Sequence, residues 1–506
     1  MGFLPRAALG SLAVLALVGS GAGAGAREPF EVASARVAGR PVEAFAVSDG
    51  MAEQMVVLSV EGTPPDEVRW ISRLPRGALG GALPGFRVPR GVVAVDVADL
   101  DPAEGLEALL ISPRELRVVG LADGTPRRVI PMEPPLPLPA RTRQLSRLQA
   151  IREWEGPGRL AALIPTWNGA LLVPIRGGRP KLLAMPIVAA YETMDRRRPV
   201  YQGYAAARHV WPAIGLEDDD GDGRLDLLAA SRYHLWVFRA GPEGLPTAPT
   251  RRTRFAPFSF EGEQRNESHV LRAYFDDLDG DGRVEVVEHR STGTLLESHS
   301  TTRIFRGAGG GADPSATAAG ELVDDRGFAG IEVFDLDGDG RKEILHSVVP
   351  FGILQVARVL TTRRVETELQ VFHLPEGEDG QPVESWSAEL RYPLDFSSQR
   401  VEGLLPNPAG DWNGDGLMDL VHGDGPDAVR IRLGQVGARG PGFGRPVARQ
   451  PLPFSDLALI ADLNSDGLDD LITYDTLDRE GRLYLAVNRG ILPGTPPRLS
   501  PRPPRR

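Results

Sequence analysis

Acidic side chains recur at a fixed spacing in five nine-residue stretches of this 506-residue chain. Each stretch has oxygen-bearing side chains at positions 1, 3, 5 and 9 and a glycine at position 6. Carboxylates at alternate positions of a tight loop can wrap one hard cation, so these stretches predict metal binding. The five stretches are Asp218–Asp226 (DDDGDGRLD), Asp277–Glu285 (DLDGDGRVE), Asp335–Glu343 (DLDGDGRKE), Asp411–Asp419 (DWNGDGLMD) and Asp462–Asp470 (DLNSDGLDD).

Calcium is the ion that this donor set favours. Ca²⁺ takes six to eight oxygen ligands, whereas Mg²⁺ holds its water tightly and seldom uses an all-protein cage. Position 7 would contribute only its backbone carbonyl, so its side chain can vary. The predicted ligands of about five calcium sites are Asp218, Asp220, Asp222, Arg224 and Asp226; Asp277, Asp279, Asp281, Arg283 and Glu285; Asp335, Asp337, Asp339, Arg341 and Glu343; Asp411, Asn413, Asp415, Leu417 and Asp419; and Asp462, Asn464, Asp466, Leu468 and Asp470.

A single stretch of this kind is explained equally well by a solvated Asp-Gly turn. Five copies in one register argue against that alternative. An upstream copy, Asp99–Glu107, is degenerate because Ala103 and Glu104 replace the third ligand and the turn glycine, and metal binding there is left open. A more decayed copy beginning at Glu153 is predicted to hold no ion.

Short apolar runs flank the acidic stretches, which indicates a strand, an acidic loop and a second strand. Examples are Ile331–Phe334 before a loop and Leu471–Thr473 after one. With three weaker upstream copies, the units number eight and recur about every 50 to 60 residues, as four-stranded propeller blades do. The predicted fold is therefore an all-β propeller of seven or eight four-stranded blades, eight being favoured. Glu31–Val37 would supply the strand that closes the ring. An open row of hairpins or a β-solenoid is the alternative.

The acidic loops resemble those of the FG-GAP, or integrin alpha-like, repeats, which are also known as VCBS-type repeats. The resemblance covers nearly all of the chain after its N-terminal segment, although the Phe-Gly pair that names the family is mostly absent. Phe443-Gly444 is its clearest survivor. The resemblance implies an extracellular propeller with calcium in its blades. It implies no particular ligand, since one fold serves many functions.

The ends of the chain predict export and a single domain. Arg6, the apolar run Ala7–Val18 and the small residues before position 27 are typical of a signal peptide over 1–26. We expect one propeller domain over 27–490 and a disordered Pro/Arg-rich tail over 491–506. No transmembrane segment is predicted, which favours a secreted protein, extracellular or periplasmic. The net charge of -11 argues against nucleic-acid binding, and the absence of cysteine excludes disulfides.

The favoured function is a scaffold that recognises or adheres to an extracellular protein or glycan. Two long spacers, 182–212 and 347–410, carry candidate recognition residues. Alternatives are an extracellular enzyme such as a polysaccharide lyase, or a structural envelope component. No catalytic residue and no organic cofactor site is predicted, and His346 and His422 fit packed imidazoles better than catalytic ones. The spacers' candidate residues are Tyr191, Arg196, Arg197, Arg198, Tyr201, Tyr204 and Trp211, and Trp386, Tyr392 and the acidic run 376–379.

Overall fold

The computed structural model describes residues 28–495 with gaps. The residues outside the description are 1–27, 49–52, 64–65, 76–77, 79, 102–104, 134–135, 137–144, 155, 157, 167, 186–187, 194–204, 232, 257–267, 294–297, 308–310, 351–352, 376–379, 396–399, 402–408, 426, 454–456 and 496–506. The predicted signal peptide therefore lies outside the described residues, as do the end of the predicted tail and the acidic run 376–379.

The chain folds into eight antiparallel blades, A to H, arranged as a propeller ring. This confirms the predicted fold class and the favoured blade number. Strand β1 (Phe30–Arg36) joins blade H, and the short strand β5 (Gly81–Ala82) pairs with β1. Blade A consists of β2 (Arg40–Ser48), β3 (Glu53–Glu61), β4 (Val68–Arg73) and β6 (Gly85–Arg87). Blade B consists of β7 (Ala94–Ala98), β8 (Glu107–Ile111), β9 (Glu115–Gly120) and β10 (Pro126–Pro131), and blade C consists of β11 (Ile151–Arg152), β12 (Ala161–Thr166), β13 (Gly169–Pro174) and β14 (Lys181–Leu183).

A separate hairpin precedes the second half of the ring. It consists of β15 (Val188–Thr193) and β16 (Ala205–Val210). Blade D consists of β17 (Ala213–Glu217), β18 (Asp226–Ala230), β19 (His234–Phe238) and β20 (Arg251–Arg254), and blade E consists of β21 (Ser268–Asp276), β22 (Glu285–Gly293), β23 (Ser298–Phe305) and β24 (Gly320–Asp324). Blade F consists of β25 (Gly327–Phe334), β26 (Glu343–Pro350), β27 (Arg364–His373), β28 (Val383–Asp395) and the edge strand β29 (Arg400–Val401), with helix α1 (Ile353–Thr362) before β27. Blade G consists of β30 (Ala409–Gly410), β31 (Asp419–Gly423), β32 (Ala428–Gly437) and β33 (Gly440–Pro451), and blade H contains β34 (Leu457–Ala461), β35 (Asp470–Tyr474) and β36 (Arg482–Asn488).

The ring is closed by its N-terminal strand. Blade H takes three strands from the C-terminal end of the chain, and β1 pairs antiparallel with β36 over its whole length, from Phe30 opposite Asn488 to Arg36 opposite Arg482. The strand predicted over Glu31–Val37 therefore serves as the closing strand. Closure in this way hides the edge that β36 would otherwise expose.

The apolar core is divided among the interfaces between blades. Eight clusters of buried side chains occur among the described residues, and each joins one blade to the next, as Leu58 of blade A and Val95 of blade B do. The second strands lie between two neighbouring blades, so β8, β18, β31 and β35 are buried along their whole length. This explains why an unbroken apolar run, rather than an alternating pattern, follows each acidic stretch.

The order of the strands gives the ring two distinct faces. First strands of adjacent blades contact each other, for example β17 with β21 and β2 with β34, so they line the central axis. Because the blades are antiparallel, the connections between strands 1 and 2 and between strands 3 and 4 emerge on one face, which we call the loop face. The connections between strands 2 and 3 and between successive blades emerge on the other, which we call the insertion face.

The long spacer 347–410 does not form one long connection. Most of it builds blade F itself, as β27 and β28, with α1 in the connection before β27. The sequence spacing looked long because these two strands have 10 and 13 residues. No helix among the described residues has the length and apolar character needed to cross a membrane.

Candidate metal centres

All five acidic stretches connect the first and second strands of a blade. They occupy blades D, E, F, G and H in chain order, and we call them loops D to H. Their common position in the blade places all five on the loop face. Each predicted site therefore lies within a single loop of a single blade.

The position 1 aspartate organises each loop by accepting backbone hydrogen bonds. In loop D, Asp218 Oδ1 accepts the N–H of Gly221 (2.7 Å) and Asp218 Oδ2 accepts that of Gly223 (2.8 Å). Asp277, Asp335, Asp411 and Asp462 accept similar bonds. Positions 4 and 6 both adopt positive φ, with Gly221 at +77° and Gly223 at +82°. Positive φ at position 4 is thus a second conformational feature that the predicted pattern omitted; glycine provides it in four loops, and Ser465 adopts it at +61° in loop H.

The position 9 acid is buried in every loop and fixes the loop to its blade. In loop H, Asp470 Oδ2 accepts the N–H of Leu463 (3.0 Å) and Asp470 Oδ1 accepts that of Asn488 (2.8 Å), at the end of the third strand. Asp226, Glu285 and Asp419 make the same two kinds of bond. The position 9 acid therefore has a structural role, anchoring the loop to the blade, in addition to its predicted role as a metal ligand.

In three loops, three carboxylates converge closely enough to hold one metal ion. The ligand oxygens of each group lie within 4.8 Å of one another, and the groups are Asp218, Asp220 and Asp226; Asp277, Asp279 and Glu285; and Asp335, Asp337 and Asp339. Asp279 Oδ1 and Asp337 Oδ1 are buried and have no hydrogen-bond partner. A buried, unpaired carboxylate oxygen is costly, and a cation would offset that cost. The donor sets of these three loops therefore fit a hard metal ion.

Loops G and H have asparagine at position 3 and differ in detail. Asn413 donates through Nδ2 to Asp415 Oδ2 (2.8 Å), and Asn464 donates similarly to Asp466 (3.2 Å). Within the described part of these two loops, no three acids converge as closely as in loops D to F. Position 5 caps position 7 in all five loops, as Asp222 Oδ1 does by accepting the N–H of Arg224 (2.9 Å).

Burial raises the pKa of the position 9 acids well above their ordinary range. The raised pKa is about 6 for Asp226 and about 7 for Glu285, Glu343, Asp419 and Asp470. Desolvation is the main cause, and the neighbouring loop carboxylates add to it, while the backbone hydrogen bonds act in the opposite direction. A bound cation would favour the ionised form of each group.

These pKa values predict how the benefit of a bound divalent cation depends on pH. In the metal-free protein, protonation of the position 9 acids stabilises the fold, and this stabilisation is lost as pH rises from about 4, the unfolded pKa, through about 7. Metal binding needs the ionised acids, so its contribution grows over the same range. We expect the difference in thermal midpoint between calcium-loaded and dialysed protein to increase from pH 5 to pH 8. A difference that stays constant over this range would contradict the assignment of position 9 as a ligand.

Arginines flank loops D and E, and no signal in the sequence pointed to them. In loop D, the buried position 2 residue Asp219 is paired with Arg251 (2.6 Å) and Arg239 (3.0 Å). In loop E, Arg306 Nη1 lies 3.2 Å from Asp279 Oδ2. No local spacing marks these partners, because they come from the third and fourth strands or from the residues after them.

In the degenerate loop of blade B, a guanidinium group lies among the remaining acids. Arg127 Nη1 is 2.6 Å from Glu107 Oε1 and 3.1 Å from Asp101 Oδ1, and the Glu107 side chain is fully buried. Residues 102–104 lie outside the described part of the chain. Position 9 is retained here, since Glu107 Oε2 accepts the N–H of Leu100 (2.8 Å). The arginine thus supplies the kind of positive charge that a metal ion would supply to loops D to H.

Replacing this arginine is expected to destabilise blade B whether or not calcium is present. Arg127→Ala leaves the buried Glu107 carboxylate without its charged partner, which costs about 1 to 3 kcal/mol. Thermal unfolding in calcium and in chelator would measure the loss. Arg128→Ala is the matched control, because Arg128 is exposed on the same strand. Equal midpoints for the two variants would show that the Arg127 pair contributes nothing.

Several candidate recognition residues pack within the propeller. The ring centroids of Trp386 and Phe443 are 5.0 Å apart, with an angle of 84° between the ring planes. Tyr392 is 3% exposed and lies in the interface between blades F and G. Phe443 of the one clear Phe-Gly pair is therefore a packing residue. His346 and His422 are buried, and burial lowers the pKa of both. In the spacer 182–212, Trp211 packs between blades C and D, while 194–204 lie outside the described residues.

Comparisons with known proteins agree with the predicted repeat. Residues 277–346, which span loops E and F, match the family model of the FG-GAP-like repeat. No curated protein matches the sequence. Among solved structures, the V. cholerae biofilm matrix protein Bap1 is similar at 12% identity and a TM-score of 0.42, over 92% of this chain and 89% of that one.

Proposed function

We propose that this eight-bladed propeller, which carries an FG-GAP-like repeat, is a secreted calcium-binding scaffold that recognises an extracellular protein or glycan. The observation that carries the calcium assignment is the convergence of three carboxylates in each of loops D, E and F. The buried, unpaired oxygens of Asp279 and Asp337 support it further. All-oxygen donor sets on flexible loops suit Ca²⁺ better than Mg²⁺.

In this proposal, calcium would neutralise the crowded acids and stiffen five loops at one face of the ring. Positions 1, 3, 5 and 9 would supply side-chain oxygens, and position 7 would supply its carbonyl. In loops G and H, the amide oxygens of Asn413 and Asn464 would take the place of the third-position carboxylate. The proposed ligands thus remain those predicted for the five loops, from Asp218 to Asp470.

Recognition is proposed to take place on the insertion face. The β15–β16 hairpin lies in the connection from blade C to blade D, and α1 lies in a connection between strands 2 and 3. Both connections therefore emerge opposite the metal loops. Surface connections carry binding functions more often than the blades that support them, because they vary without disturbing the core. Ion-stiffened blades would hold such connections in fixed positions.

Two measurements test this proposal. Equilibrium dialysis of the protein lacking residues 1–26 should find about five calcium ions per chain, with little competition from a tenfold excess of magnesium. Binding to arrays of glycans and extracellular matrix proteins should then be compared with a variant in which 186–210 are replaced by a short Gly-Ser linker. Lost binding with an unchanged ion count would support recognition by the insertion face. Absence of bound calcium would refute the metal assignment, and breakdown of an arrayed glycan would indicate an enzyme instead.

Export is tested separately by determining the N-terminal residue of the protein that is recovered from outside the cytoplasm. The proposal expects a secreted chain that begins near residue 27, after the small residues that precede it in the sequence. A chain retained in the cytoplasm with its first 26 residues intact would contradict the secreted assignment without affecting the calcium sites.

A further inference from the structure

We propose that the calcium sites of blades E to H bind their ions cooperatively, because a continuous hydrogen-bond relay joins their loops. This inference rests on the proposed calcium binding and adds an energetic coupling between sites. Every step uses the backbone carbonyl of position 2, which accepts the N–H of position 8 of the next loop in the first two steps and a side-chain N–H in the last.

The first steps of the relay are made by the backbone alone. The N–H of Lys342, position 8 of loop F, donates to the carbonyl of Leu278, position 2 of loop E (2.9 Å). The N–H of Met418, position 8 of loop G, donates to the carbonyl of Leu336, position 2 of loop F (2.8 Å). In both cases the donor immediately precedes the position 9 acid of its own loop.

The last step, from loop G to loop H, uses a side chain. Asn488 Nδ2 donates to the carbonyl of Trp412, which is position 2 of loop G (2.7 Å). The backbone N–H of Asn488 donates to Asp470 Oδ1 of loop H. Asp469, position 8 of loop H, also accepts the N–H of Asp411 through Oδ2 (2.7 Å). Loop H is therefore tied to both position 1 and position 2 of loop G.

Each link connects directly to a predicted metal ligand. The N–H of position 2 donates to the position 9 acid of its own loop, as Leu278 does to Glu285 (2.8 Å) and Leu336 does to Glu343 (2.9 Å). The backbone of one residue is thus held between a predicted ligand of its own loop, through its N–H, and the loop of the next blade, through its carbonyl. When an ion fixes the position 9 acid, it also fixes the acceptor that positions the following loop.

Neighbouring loops of the relay also lie close to one another. A Cβ atom added at Gly338 of loop F would lie 3.2 Å from the carbonyl oxygen of Gly416 in loop G. A Cβ atom added at Gly280 of loop E would lie 3.3 Å from Cγ of Arg341 in loop F. A loop that opened after losing its ion would therefore disturb its neighbour. Coupling through a contiguous network with ordered and loosened states is the physical basis for cooperative binding.

Loop D provides an internal control, because the relay does not reach it. Among the described residues, no backbone hydrogen bond joins position 8 of loop E to position 2 of loop D. Position 2 of loop D is Asp219, whose side chain is held by Arg239 and Arg251 instead. Loops D and F have equivalent aspartates at position 3, Asp220 and Asp337, so the same substitution can be made inside and outside the relay.

The test compares Asp337→Ala with Asp220→Ala by calcium titration and by site-resolved amide exchange. Each variant should lose one ion. Asp337→Ala should also weaken the sites of loops E and G by about 5- to 150-fold, the usual range of coupling between sites. Asp220→Ala should leave the affinities of loops E to H unchanged. In the unmodified protein, the amides of Lys342 and Met418 should gain protection together over one narrow range of calcium concentration.

The outcomes separate this inference from the proposed function. If neither the unmodified protein nor the variants bind calcium, the proposed function fails. If the unmodified protein binds about five ions but Asp337→Ala affects only its own site, the sites are independent and the relay carries no coupling. If Asp337→Ala does not fold, the amide-exchange titration of the unmodified protein decides. Protection that develops separately in each of loops E to H would overturn the proposal.

Discussion

Removing calcium is expected to loosen the five blades D to H, while blades A to C respond less. A site that binds only the folded state contributes about 2.7 kcal/mol when the ion is at a hundredfold excess over its Kd. Five such sites together contribute roughly 10 kcal/mol or more, which is the same order as the whole stability of a folded domain. We therefore expect a large fall in thermal midpoint when chelator replaces millimolar calcium.

The location of this effect distinguishes it from general destabilisation. Blades interact mainly with their neighbours, so local loss of stability need not spread evenly around the ring. Hydrogen exchange in chelator should accelerate most in strands such as β31 and β35, which follow metal loops, and least in β3 and β12. Excess magnesium in place of calcium is the control and should restore little protection. An unchanged midpoint in chelator would show that the acids of loops D to H are a solvated surface.

Asp470→Ala is expected to be among the most destabilising single substitutions, even without calcium. The Asp470 side chain is fully buried and accepts the backbone N–H groups of Leu463 and Asn488. Its removal leaves two buried donors unpaired, each at a cost of about 1 to 3 kcal/mol. We expect a loss of roughly 2 to 6 kcal/mol in chelator, and a larger loss in calcium because the ion is lost as well. Denaturant unfolding under both conditions would measure this.

Asp222→Ala is the matched control for this substitution. Asp222 is a predicted ligand at position 5 of loop D, but it is exposed, and it accepts hydrogen bonds from the backbone N–H and the guanidinium group of the neighbouring Arg224. It should lower stability in calcium and change little in chelator. Asp470→Asn, which keeps the size of the side chain, should fall between the two. If Asp470→Ala and Asp222→Ala behave alike in chelator, position 9 has no structural role apart from its ion.

Much of the fold follows from signals that are local and repeated. Each blade carries its own strand, loop and strand, strongly acidic in five blades and degenerate in the others, so eight copies of one short pattern were enough to predict eight blades. The closing strand was also predictable, because the last unit ends after its third strand and only β1 remained to complete it. The predicted ligands likewise share a loop because their spacing is local. Within the loops, the positive φ of position 4 and the structural role of the position 9 acid were not predicted.

The tertiary structure decided how the loops are joined and what surrounds them. Arg127 beside Glu107, Arg251 beside Asp219 and Trp386 against Phe443 pair residues that lie about 20 to 60 positions apart, and no repeat pattern marks them. The steps of the relay from loop E to loop G are made by backbone carbonyls and N–H groups, so they leave no trace in side-chain identity. The blades and their acidic loops could be predicted because their signals are local and repeated. Which groups face one another across blade interfaces was decided by the packing of the ring, because those contacts are non-local.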